Sequence, residues 1–95
     1  MTLARVVGTV VSTKRSDEIP GARYLIVEPC DSSGKGLGGS LIALDSVGSG
    51  PEEVVLLSQG SSARQTEISD KRAVDAIIVG IVDEIDEANV VTYRK

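Results

Sequence analysis

Apolar residues along this chain recur at a period of two or in short continuous runs dominated by Val and Ile. This is the pattern of strands, not of the amphipathic helix of about 11 residues that is typical of globular domains. The spacing predicts strands over Leu3–Thr13, Arg23–Pro29, Ser40–Asp45, Glu53–Ser58 and Asp75–Ile85, with a short last strand, Val90–Arg94, pairing back across the turn "DEAN". Gly8, in the middle of the first strand, sits where a bulge or a tight barrel corner belongs. The polar stretch Lys14–Gly21 reads as a turn punctuated by Pro20-Gly21. The longest helical candidate is a single turn around Ser62 to Thr66. Short strands separated by glycine-rich turns predict an all-β domain closed into a small barrel.

Composition adds a reason for self-association. At 95 residues the chain forms one small domain, 1–95. A domain of this size removes only about 60–65% of its unfolded surface from water, so contacts with further copies of itself would help to stabilise it. The single Cys30 rules out an intramolecular disulfide framework, and the first residues show no basic and apolar leader, so a reducing cytosol is expected. The longest apolar run, "VDAIIVGIV", stops at Asp83, short of the roughly 20 residues that cross a bilayer, and a soluble chain with no membrane partner is expected. A net charge of −4 also argues against nucleic acid as a partner. Only Tyr24 and Tyr93 are aromatic, so successive bases would find no platform on which to stack.

Candidate chemistry is thin. "GKGLGG" (Gly34 to Gly39) matches G-x-G-x-x-G in letters, but it runs into the β-rich "SLIALD" instead of opening a helix whose N–H groups could meet a pyrophosphate. It reads as a hairpin loop. "SGK" at Ser33 to Lys35 lacks the flanking residues of a P-loop. With no His and one Cys, the usual metal sites and nucleophile-base pairs have nothing to be built from. No catalytic residue, cofactor or metal is therefore expected. The acidic cluster Asp83, Glu84, Asp86 and Glu87 lacks the donor spacing of a calcium loop and reads as a solvated strand end. Cys30 reads as a small buried hydrophobe.

Two glycine-serine joints remain, "DSVGSGPEE" (Asp45 to Glu53) and "GSSAR" (Gly60 to Arg64). One reading makes them tight turns in which Gly48, Gly50 and Gly60 supply positive φ and Arg64 is simply exposed. The other makes them places where small residues let backbones of two chains approach, with Arg64 reaching a neighbour's carbonyls or carboxylates. Composition alone supports both equally.

The stretches "ARVVGTVVSTKR", "LIALDSVGSGPEEVVLLSQGSSAR" and "VDAIIVGIVDEID" together resemble the bacterial microcompartment vertex-protein family, which includes the carboxysome and ethanolamine-utilisation pentamers. The similarity runs through nearly the whole chain and rests on a combination: V-x-G-x-V near the start, D-x-V-G-x-G before the fourth strand, G-S-S-A-R after it, and V-D-A followed by I-V-D. One departure is "GSGPEE", where the family commonly has Gly-Ala-Gly and then Gly-Glu.

The resemblance implies a five-stranded barrel related to the oligonucleotide-binding fold, with a short extra C-terminal strand and at most one helical turn. It also implies a cyclic homopentamer, without enzymatic activity, at the fivefold corners of a cytoplasmic microcompartment shell otherwise tiled by hexameric shell proteins. Gly48, Ser49, Gly50, Gly60, Ser61, Ser62, Ala63 and Arg64 become candidates for the subunit contact or the ring axis, with Arg64 as cross-chain donor. Val91 and Tyr93, on the apolar side of the last strand, join them as candidates for packing on the neighbouring subunit. The competing function is a free-standing β-barrel adaptor or regulatory module, which native mass would separate from a pentamer.

Overall fold

The computed structural model describes residues 1–11, 23–59 and 76–95. The described residues hold seven strands: β1 (Thr2–Val10), β2 (Arg23–Pro29), β3 (Leu41–Asp45), β4 (Val54–Gln59), β5 (Ala76–Ile81), β6 (Glu84–Glu87) and β7 (Val90–Arg94). The first five close into a barrel in the order β1-β2-β3-β5-β4, and β6 and β7 form a separate two-stranded sheet. Neighbours in the barrel run antiparallel except β3 and β5, which pair in parallel through Leu44↔Ile77 and Asp45↔Ile78.

Period-two patterning explains which face turns inward. Ala4 and Val6, Leu25 and Val27, Val55 and Leu57, and Ala76 and Ile78 alternate with outward residues and, together with Ala43, fill the barrel interior. Register fits the assignment, since Val6 lies opposite Val27 and Ala4 opposite Val55. Closure also removes the free sheet edges on which a small β-protein would otherwise aggregate. Gly8 sits where expected: the β1–β2 register shifts between Val6 and Gly8, leaving Val7 as the extra, bulged residue. A Cβ on Gly8 would come to 3.3 Å from Ile26 Cδ1, so a larger residue would crowd the outer wall there.

Two expectations need correction. Asp75–Ile85 is not one strand: β5 ends at Ile81, Val82 N–H donates to Val54 O at 2.8 Å, and the chain then leaves the barrel. The physical reason is the charge that follows, because Asp83 and Glu84 would have to ride on a barrel wall, whereas beyond the end of β5 both stay in water, Glu84 as the first residue of β6. The turn before the last strand is also tighter than "DEAN". Asp86 and Glu87 belong to β6, and only Ala88 (φ 54°) and Asn89 (φ 66°) turn the chain. Two consecutive left-handed residues are what a two-residue hairpin requires to match the twist of its strands. The single turn expected around Ser62 to Thr66 lies outside the described residues.

Candidate subunit-contact surface

The joint at Asp45–Glu53 is organised by one carboxylate. Asp45 ends β3, and its side chain is 1% exposed. Its Oδ1 accepts from the N–H groups of Val47 and Gly48, each at 3.2 Å, and from Ser49 Oγ at 3.1 Å. Oδ2 accepts from Ser49 N at 3.1 Å and from the Arg23 guanidinium at 3.1 Å. A buried carboxylate is tolerable only when paired and fully hydrogen-bonded, and the Ser-Val-Gly-Ser backbone wraps Asp45 to meet that requirement. Gly48, at φ 78°, supplies the left-handed step in the wrap.

The second half is a type II turn. Glu53 N–H donates to Gly50 O at 3.3 Å, Pro51 takes the first central position, and Glu52 takes the second with φ 65°. The expectation of positive φ at Gly50 is therefore wrong. The residue before a proline is held in the extended region, and the left-handed step passes to Glu52. Of the other candidates here, Ser49 is turned inward on Asp45, while Val47 and Gly48 form the exposed crest. Gly60, Ser61, Ser62, Ala63 and Arg64 lie outside the described residues.

The C-terminal hairpin is fastened to its own chain at both ends. Thr92 Oγ1 donates to Ser32 O at 2.6 Å, and Ser32 Oγ donates to Glu87 Oε1 at 2.8 Å. The Tyr93 ring lies over Gly34, which by lacking a Cβ leaves room for it, and Val54 of β4 borders the same space. At the other end Lys95 Nζ pairs with Glu53 Oε2, while Glu53 Oε1 accepts the Gly50 N–H. These two donors, Lys95 first, hold the Glu53 carboxyl below the usual carboxylate range, and the same contact raises Lys95 above the usual lysine value.

The expected alternation of β7 is interrupted. Ile85 pairs with Tyr93 and Asp86 with Val91, so Thr92 is a bulge. Tyr93 is half-buried against its own loop, while Val90 and Val91 are 60% and 43% exposed.

Gly34 to Gly39 lies in the loop joining the antiparallel pair β2 and β3. Asp31 shapes that loop by accepting from the Ser33 hydroxyl at 2.6 Å and from the N–H groups of Ser33 and Lys35, which lowers its carboxyl below the ordinary range. Cys30 is 6% exposed, and burial first of all pushes its thiol up, as suits a packing residue and not a nucleophile. Asp83, Glu84, Asp86 and Glu87 are exposed, and no metal-binding group of side chains occurs among the described residues.

What the geometry offers is shape: a rigid barrel, one tightly wrapped turn and a fastened hairpin with exposed valines. The family model described as ethanolamine utilisation protein EutN/carboxysome matches residues 1–83. The chain belongs to this family. It is 41% identical over 95 residues to a carboxysome shell vertex protein, CcmL, of Gloeobacter violaceus, covering all of this chain and 95% of that one. The same identity over the same length relates it to the bacterial microcompartment shell vertex protein EutN of Salmonella typhimurium, covering 96% of that protein. Among solved structures, the pentameric microcompartment shell protein GrpN of Rhodospirillum rubrum superposes with a TM-score of 0.82 at 38% identity, covering 93% of this chain and all of that one. Equal similarity to a carboxysome and an ethanolamine-utilisation relative shows that the shared features belong to the vertex role and not to one compartment's chemistry.

Asp45 and Glu53 are the organising residues that sequence reasoning missed. An Asp heading a Ser/Gly run is a recognised turn signature, so Asp45 was within reach. Glu53 was not, because its partner Lys95 lies at the other end of the chain.

Proposed function

We propose that the chain assembles as a cyclic homopentamer that occupies the fivefold vertices of a polyhedral bacterial microcompartment shell in the cytoplasm, a structural role without catalysis. Hexagonal tiles alone make a flat layer, and closing that layer into a shell requires fivefold pieces. The observation that carries the proposal is the full-length match, in sequence and in fold, to shell vertex proteins that include a pentameric one. The chain's own structure supports it: the closed barrel presents no free edge, so the barrel itself can contribute only side-chain surfaces, which a ring of head-to-tail contacts can close, while the two-stranded β6–β7 sheet keeps its edges.

The proposed contacts are the exposed crest of the Asp45–Glu53 turn, with Gly48 and Gly50 shaping it around inward Ser49, the "GSSAR" joint with Arg64 as cross-chain donor, and Val91 on the hairpin. Tyr93 contributes by holding that hairpin in place. Hexameric shell proteins are the proposed neighbours at the rim of the ring. Native mass spectrometry at micromolar concentration tests the assembly. Five 9.9 kDa chains per particle is the expected result, and a monomer or dimer returns the chain to the adaptor reading.

A further inference from the structure

The barrel holds the Arg5 Nε away from any acceptor among the described residues. It is buried, and no other buried side-chain nitrogen or oxygen among them lacks a partner. The natural partner would be Glu28, directly across on β2. That carboxylate is committed elsewhere: Glu28 Oε2 accepts the Gly38 N–H at 3.0 Å, and the Gly36 backbone packs directly on it. Arg5 instead lines an open groove of about 550 Å³ between the bulged segment of β1 and the Pro51–Glu52 turn. Val7 adds an apolar surface that is 47% exposed, and the turn is anchored to the floor by Glu52 N–H on Val6 O at 2.9 Å. Glu52 lines the same groove and makes no ion pair with Arg5 among the described residues.

The complementary feature lies on the hairpin. Three of its four carboxylates have partners in the chain: Glu84 with Arg94 at 2.9 Å, Asp83 with Lys95 at 3.9 Å, and Glu87 with Ser32 Oγ at 2.8 Å. Asp86 has none among the described residues. It pairs in register with Val91, so a free carboxylate and a half-exposed valine share one side of the hairpin. The groove offers a guanidinium beside a half-exposed valine. The two patches lie on different elements, and Asp86 with Val91 is complementary to Arg5 with Val7, although the groove also holds the Glu52 carboxylate.

We infer that, in the pentamer proposed above and resting on that reading, Asp86 and Val91 of one copy seat in the Arg5–Val7 groove of the next. The contact joins two different patches, as a ring with head-to-tail interfaces requires. Docking draws the Arg5 guanidinium toward the incoming carboxylate and gives its unpaired donors an acceptor.

Charge reversal tests the pair. Arg5→Glu and Asp86→Arg should each weaken the pentamer by roughly tenfold or more in dissociation constant, the lower end of the coupling found for close charge pairs across interfaces. The double variant, with the charges exchanged, should recover most of the loss, and circular dichroism should report the same β-content for all. A second measurement does not depend on the reversed charges folding well. Val7→Cys with Val91→Cys, in a Cys30→Ser chain, should give an oxidised ladder of linked subunits that reducing agent collapses. Single variants that dissociate like the unsubstituted pentamer, a double variant no better than the singles, or no ladder would each overturn the pairing while leaving the pentamer intact. An unsubstituted chain that is monomeric would overturn the pentamer and the pairing together.

Discussion

The ring of Tyr93 occupies the space that a side chain at residue 34 would fill: its Cδ1 lies 2.9 Å from where Gly34 would carry a Cβ. This contact holds the last strand of the chain against the β2–β3 loop and, through it, against Val54, which is fully buried on β4 although it points away from the barrel core. The barrel and the hairpin are thus two sheets joined by packing and not by a shared ladder.

Gly34→Ala should therefore destabilise more than its backbone alone explains. A left-handed φ costs a non-glycine residue about 1–2 kcal/mol, and the displaced Tyr93 adds to that. Gly38→Ala is the control, since its φ is 92° but nothing lies within 4 Å of its absent Cβ. Denaturant midpoints at one fixed protein concentration should rank the native chain above Gly38→Ala and that above Gly34→Ala. Equal losses would show that Tyr93 bears no weight on the loop.

Removing the carboxylate at the end of β3 should unwrap the joint. Asp45→Ala leaves the buried Ser49 N–H and hydroxyl without their acceptor, at about 1–3 kcal/mol for each orphan, while the Arg23 guanidinium, 53% exposed, turns to water. Asp45→Asn keeps the shape and loses the charge, so it should fall between. Hydrogen exchange at Val47 to Ser49 reads the effect directly: faster exchange confined to those amides is expected, and unchanged exchange would remove Asp45 from the role given to it here.

The barrel was legible because its information is local. Pairs such as Leu25/Val27 and Val55/Leu57 announce an inward face by alternation alone, and Gly8 marks the bulge in β1. The hairpin was half legible: Val90–Arg94 reads as a strand, but "VDAIIVGIVDEI" gives no apolar break at Val82, and only three-dimensional placement separates β5 from β6. Tyr93 on Gly34 and Lys95 on Glu53 join residues far apart in sequence, and no periodicity encodes such pairs. Arg5 escaped for the opposite reason, because its expected partner Glu28 is present in register yet turned to Gly38.

Acid should loosen the hairpin's lower fastening. Glu53 titrates below its ordinary 4.5 in the folded chain, so the stabilisation it brings is complete above that value and is lost as pH falls through the lowered folded value. Lys95 titrates above its ordinary 10.5, so its share is complete below that value and is lost as pH rises through the raised one. Lys95→Met should accordingly destabilise the chain at about pH 7 and converge with the native chain once the pH falls below the lowered Glu53 value, where the carboxyl is protonated. A stability gap that stays constant across this range would mean that the methylene stem of Lys95, and not its charge, does the holding.

The hairpin's separateness gives the sharpest expectation. Closure of the barrel runs through β1 and β4 and involves neither β6 nor β7, so deleting Val90–Lys95 removes no rung of the barrel ladder. What goes is Tyr93 over Gly34, Thr92 on Ser32 and Lys95 on Glu53, and Val54 gains access to water. Uncovering one large apolar side chain costs about 1.5–3 kcal/mol, which lowers stability without exceeding the few kcal/mol that hold a small domain together. The truncated chain should keep its β-sheet circular dichroism, melt earlier and sediment lighter than the pentamer, because Val91 is removed and Asp86 loses the strand it pairs with. A truncated chain that unfolds would show that the hairpin completes the barrel's own core. One that remains both folded and pentameric would place the subunit contact elsewhere, on the Asp45–Glu53 crest and the "GSSAR" joint alone.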